Sequence, residues 1–173
     1  MTLPQASRMQ STRSRCAGFS LIELAVVVGI LSVVLAIAVP IAVKLLMQAQ
    51  SAAVENDLRV FNAAFQAYAN EHGDWPAGDG TPGAFPEGMA GYLAETNWGR
   101  RTPLGGNYAW DPNSMQQGLR YRAVIVIAST TGNPVTENRE QLSQLDQKID
   151  DGNLATGNLL LGYRNSPVFV LEH

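Results

Sequence analysis

The stretch GFSLIELAVVVGILSVVLAIAVP, residues 18–40, decides how the rest of the chain is read. From Leu24 to Val43 it carries no charge and one hydroxyl, that of Ser32. Twenty such residues in a helix span about 30 Å, the hydrocarbon thickness of a bilayer. Arg8, Arg13 and Arg15 precede the run, no acid precedes Glu23, and Lys44 follows closely. The positive-inside rule places the N-terminus in the cytoplasm and the residues from Lys44 onward outside.

Three readings of this segment compete. A secretory signal has a basic start, an apolar stretch of roughly 7–15 residues and a small-x-small cut. Ala36-Ile37-Ala38 imitates that cut, but the run is longer, carries Glu23 at its head and continues past Pro40. The second reading is a plain membrane anchor. The third is a leader cut ahead of the apolar run, between Gly18 and Phe19.

Gly18-Phe19-Ser20-Leu21-Ile22-Glu23, followed by the apolar run, resembles the N-terminus of type IV pilins and type II secretion pseudopilins. The resemblance implies that residues 1–18 are a leader removed after Gly18 by a prepilin peptidase on the cytoplasmic side. It implies N-methylation of the new terminal Phe19, a bacterial inner-membrane location, and a body in the periplasm. Glu23 and Pro40 match the family's fifth-position glutamate and its helix-weakening proline. The motif covers about 25 residues, and its 18-residue leader is longer than the shortest in the family. Implied partners are identical or related subunits, the peptidase, an inner-membrane assembly platform and lipid.

Glu23 has two roles open to it. Ser20-Leu21-Ile22-Glu23 fits a capping box, in which the carboxylate reaches back to the helix start. In a filament it would instead pair with the Phe19 amine of a neighbour and so set the axial register. A buried carboxylate left without its partner costs about 3–5 kcal/mol. Ala25, Gly29, Ser32 and Ala36 recur at helical spacing and suit close helix packing in lipid. Pro40 lacks an N–H and clashes with the carbonyl of Ala36, which kinks or loosens the helix.

Beyond Lys44 the helix is expected to continue. Val54, Leu58, Phe61, Phe65 and Tyr68 form one stripe at helical period, with Glu55, Asp57, Arg59, Asn62, Gln66 and Asn70 on the remaining surface. Gly73 and Pro76 end it, so residues 19–72 predict one helix, membrane-buried over 19–44 and amphipathic over 45–72. Residues 73–106 hold nine glycines and four prolines, a loop with a helical turn near Met89–Glu95, pinned by Trp75, Phe85, Tyr92 and Trp98. A short strand over Asn107–Asp111 and a central strand over Gly118–Ser129 follow. A helix over Asn138–Ile149 and a hairpin turning at residues 164–167 complete the expectation. The fold class is α+β: a long N-terminal helix packed on a small antiparallel sheet, residues 73–173 forming the globular body. The pilin-like architecture has this form.

Little else in the chain carries chemistry. His72 and His173 neighbour no nucleophile motif, Cys16 is the lone cysteine, and no phosphate-binding glycine loop occurs, so an enzyme is not expected. Asp146, Asp150 and Asp151 are the best metal candidates. Their oxygens suit Ca²⁺, which some major pseudopilins hold in this region, but Asp-Asp-Gly-Asn is also good turn chemistry, and that reading is preferred. No other cofactor is expected. Without residues 1–18 the chain has nine basic against 15 acidic residues, so Arg100, Arg101, Arg120 and Arg122 are read as subunit contacts or solvated charge. Nucleic-acid binding is not favoured. These features together predict a filament subunit, most specifically a type II secretion pseudopilin. A surface pilin and a non-assembling anchored binding domain are the alternatives, and the missing C-terminal cysteine pair tilts towards the pseudopilin.

Overall fold

The computed structural model describes residues 19–173. Arg8, Arg13, Arg15, Cys16 and Gly18, on which the leader and one side of the cut depend, lie outside the described residues. Helix α1 runs over Leu21–His72 and contains Pro40. The chain divides into two compact units, one ending at Ile41 and the other beginning at Ala42. In the first, the described chain is Phe19, Ser20 and the opening of α1, whose apolar side chains are exposed along its length.

In the second unit α1 is amphipathic for a visible reason. Val54, Leu58, Phe61 and Phe65 are buried and Tyr68 packs against them, which is the stripe expected from the 3.6-residue period. His72 is the last helical residue, and Gly73 follows with φ 80°, its N–H donating to the carbonyl of Ala69 at 2.8 Å. A left-handed glycine of this kind is how many helices stop. Asp57 departs from expectation. It lies beside the stripe rather than on the wet face, and only 7% of it is exposed.

Strand β1 is Asn107–Gln116, β2 is Leu119–Ala128, β3 is Leu159–Leu161 and β4 is Pro167–Glu172. They form one antiparallel sheet in the order β1-β2-β4-β3. β2 is internal, as its Val124-Ile125-Val126-Ile127 run implied. β1 extends five residues past the expected Asp111 and through Pro112, because it is an edge strand, where a missing N–H costs least. Two hairpins have positive φ at both central residues, as such turns demand: Gln117-Gly118, and Arg164-Asn165 within the 3₁₀ turn Tyr163–Asn165.

Two short helices complete the body. α2, Ala90–Leu93, is the expected turn in the glycine-rich loop. α3, Arg139–Ile149, is capped by Asn138, whose side-chain oxygen accepts from the N–H groups of Glu140 and Gln141. Its Leu142 and Leu145 join the α1 stripe, Trp98, Tyr108, Trp110, Ile125 and Ile127 in the main core. Phe61 meets Trp98 and Tyr108 edge-on at 5.0 and 4.7 Å, and Phe65 stacks on Trp110 at 4.1 Å. These are the arrangements that aromatic quadrupoles favour.

The glycine-rich loop is fixed by main-chain bonds along β1. The N–H groups of Gly80 and Gly83 donate to the carbonyls of Trp110 and Tyr108 at 3.0 and 2.7 Å. A Cβ on Gly78 would stand 2.4 Å from the Trp110 ring, so the approach needs glycine. Trp98 is buried and donates its indole N–H to the carbonyl of Ala84 at 2.7 Å. Trp75 and Tyr92 are half-buried, whereas Phe85 is 47% exposed and does not pin the loop as expected.

Candidate functional site

The head of α1 is built by local hydrogen bonding. The N–H of Ser20 donates to Glu23 Oε2 at 3.0 Å, and the Ser20 hydroxyl accepts from the N–H of Ile22 at 3.4 Å. Glu23 therefore closes a capping box on its own helix, and its charge sits at the positive end of the helix dipole. Phe19 lies immediately before this box and is exposed. The carboxylate is thus held near the residue whose amine a cut after Gly18 would free.

Further along, Ala25, Gly29, Ser32 and Ala36 lie in the helix and are exposed. The Ser32 hydroxyl donates to its own helix, to the carbonyl of Val28 at 2.7 Å, so it needs no partner on another chain. A Cβ on Gly29 would meet nothing within 4 Å. The row thus offers a smooth strip on which a second helix could lie close. Pro40 is tolerated inside the helix, where its missing N–H removes one backbone bond.

The acidic segment at the end of α3 combines turn bonds with one unpartnered carboxylate. Asp151 accepts from the N–H of Asn153 at 2.8 Å and from the hydroxyl of Thr156 at 2.9 Å. Asp150 accepts from the N–H of Asn158. Asp146 is fully buried, and neither of its carboxylate oxygens has a hydrogen-bond partner. Burial, with the charges of Asp151 and Asp150, pushes its pKa up to about 6. Among the described residues, no three acidic, histidine or cysteine side chains converge as a metal cluster. Two of the three carboxylates are engaged in turn bonds, while the third is orphaned.

Two charged groups make contacts that sequence reasoning missed. Asp57 accepts from the Tyr108 hydroxyl at 3.0 Å and from the Asn97 amide at 2.9 Å, tying α1 to β1 and to the loop before it. Burial and the Asp57 charge push the Tyr108 hydroxyl well above its ordinary pKa. Its position next to Leu58 in an apolar stripe was the available signal. Arg122 is not free: it pairs with Asp74 at 2.9 Å and Glu172 at 3.0 Å, and Glu172 also accepts from the Trp75 indole.

A family model described as the prokaryotic N-terminal methylation motif matches residues 13–39. The fold is similar to that of the major type IV pilin PilA1 from Clostridium difficile. The likeness has a TM-score of 0.53 and 20% sequence identity, and covers 73% of this chain and 97% of that one. No curated protein matches the chain. Motif and fold together support a type IV pilin-like family. The chain thus combines an N-terminal methylation motif with a fold similar to that of a type IV pilin: a long helix with an apolar head, packed further along on a four-stranded antiparallel sheet.

Proposed function

We propose that the chain is a structural filament subunit, a pseudopilin of a type II protein secretion system, cut after Gly18 and N-methylated at Phe19. The observation that carries this reading is the methylation motif over residues 13–39, which includes the start of a helix apolar enough to cross a membrane. The pilin-like fold points to structural rather than catalytic work. In this reading the N-terminus faces the cytoplasm and the body the periplasm. The helix stays in the inner membrane until the assembly platform draws it into a filament. Glu23 leaves its own cap to meet the Phe19 amine of the next subunit, and Ala25, Gly29, Ser32 and Ala36 form the packing strip. Pro40 supplies the weak point in the helix. At the acidic turn, the bonds made by Asp150 and Asp151 support a turn rather than a Ca²⁺ site.

A surface type IV pilin is the second reading, and the likeness to a solved type IV pilin favours it. The lone Cys16 favours the pseudopilin, because a C-terminal disulfide cannot form. Mass spectrometry of the membrane-extracted protein tests the shared part, with methyl-Phe19 as the expected terminus. A Met1 start or a cut near Ala38 overturns it. Deleting the gene separates the two readings. Loss of folded proteins from the medium with surface filaments intact supports the pseudopilin. Loss of surface filaments with an unchanged medium supports the pilin.

A further inference from the structure

A groove of about 590 Å³ crosses the sheet on the side away from the main core. Its floor is Ala109, Val126 and Ala128, which alternate with core-facing Tyr108, Trp110, Ile125 and Ile127. These floor side chains are small, so the groove has depth, and exposed Met115 adds an apolar edge to it. One wall is the β3–β4 turn with Tyr163 and Arg164, and the other is β1 with Asp111 and Asn113. Tyr163 is 73% exposed, with the Arg164 guanidinium 5.1 Å from its ring centroid.

The walls are fastened to each other. Gln116 Oε1 accepts from the N–H of Tyr163 at 3.1 Å, and the Gln117 side chain donates to the carbonyl of Leu161 at 2.7 Å. The groove is therefore held in shape before any ligand arrives, which lowers the cost of binding.

Backbone conformation supplies an independent observation. Among the described residues four non-glycines have positive φ: Asn113, Gln117, Arg164 and Asn165. Hairpin geometry explains Gln117, Arg164 and Asn165. Asn113 lies inside a strand with no turn to require a left-handed conformation, which asparagine adopts more readily than most residues. Asn113 and Arg164 both line the groove. The backbone therefore fixes the direction in which these two side chains leave the chain.

The chemistry of the walls selects the ligand. Asp111 and Arg164 carry opposite charges, so the groove suits neither a polyanion nor a polycation. Asp111 accepts from the Ser114 hydroxyl through Oδ2 at 2.5 Å. Carboxylate, amide and guanidinium are planar groups that pair with vicinal hydroxyls, and an exposed phenol ring offers a flat face to C–H groups. We propose that this groove binds a neutral saccharide, with one pyranose ring stacked on Tyr163 and its hydroxyls hydrogen-bonded by Asp111, Asn113 and Arg164.

The test uses the full chain in lipid nanodiscs, since sugar-headed detergents would compete. Cellotriose, maltotriose and triacetylchitotriose are titrated separately by calorimetry and by saturation-transfer NMR. At least one is expected to bind with Kd on the order of a millimolar. Tyr163→Ala should weaken it about tenfold, and Asp111→Asn several-fold, while Tyr163→Phe stays within about twofold of wild type. Thermal melting checks that each variant is folded; exposed Tyr163 can be removed without opening the core. Failure of all three sugars to bind at about 20 mM overturns the proposal, as does wild-type affinity in folded Tyr163→Ala. Neither outcome bears on processing at Phe19.

Discussion

The hydroxyl of Tyr108 donates to the carboxylate of Asp57 at 3.0 Å, joining the buried face of α1 to the edge strand β1. Asp57 is charged and 7% exposed, so it is held in the interior by the two donors it serves, Tyr108 and Asn97. Asp57→Ala strands a buried hydroxyl and an amide, and should cost about 2–3 kcal/mol of stability. Tyr108→Phe removes one stranded donor, so the double variant should lose less than the two single losses added together. Chemical denaturation of the four chains in nanodiscs measures that coupling; simple additivity contradicts the bridge.

Asp146 makes stability depend on pH. Its carboxyl is raised from 3.8 in the unfolded chain to about 6 in the folded one, first by burial and then by Asp151 and Asp150. The folded state therefore binds the proton more tightly. Its contribution is fully present below about pH 4 and is lost as the pH rises through about 6. The melting temperature should fall across that window. Asp146→Asn should flatten the fall and raise the melting temperature near neutrality, by about 2–4 °C for each kcal/mol recovered. Repeating the melts with millimolar Ca²⁺ and with chelator decides the metal question. No shift is expected; a Ca²⁺-dependent rise that disappears in Asp146→Asn would assign these oxygens to a cation.

Glu23→Ala should leave membrane insertion and cutting after Gly18 intact, because neither requires the cap. Assembly should fall at least tenfold if the carboxylate sets the stagger between subunits, since one unpaired buried charge costs about 3–5 kcal/mol. Filament yield by electron microscopy, beside mass spectrometry of the terminus, reads the two steps separately. Normal filaments from the variant would reduce Glu23 to a helix cap.

Arg122→Gln removes two ion pairs, yet the loss should stay below about 1 kcal/mol and shrink in high salt. The guanidinium group and both of its partners are substantially exposed. By contrast Trp98→Ala should cost about 3–5 kcal/mol, because the indole is wholly buried among Phe61, Phe65 and Tyr108. Denaturation midpoints at two salt concentrations distinguish the two kinds of loss.

Much of this fold was legible because its signals are periodic. The α1 stripe from Val54 to Phe65, the Gly73 stop and the β2 run each follow from spacing or from a residue's backbone preference. The length of β1 was not legible because a strand passes through a proline such as Pro112 at a sheet edge, and edge position is set by the other strands. Asp57 misled because burial of a charge depends on donors 40 and 51 residues away. The groove beside Tyr163 was invisible for the same reason: its two walls are distant in sequence and meet only through Gln116 and Gln117. At the helix head the opposite holds, since the Ser20–Glu23 box is local and can be read directly.

The strand order β1-β2-β4-β3 also constrains how the body is made. β4 follows β3 in synthesis but lies between β3 and β2, so Leu159–Leu161 has no mate until residues 167–172 have emerged. A chain emerging in order of synthesis must hold those three leucines unpaired until β4 slots in, so closure of the sheet waits on delivery of residues 167–172.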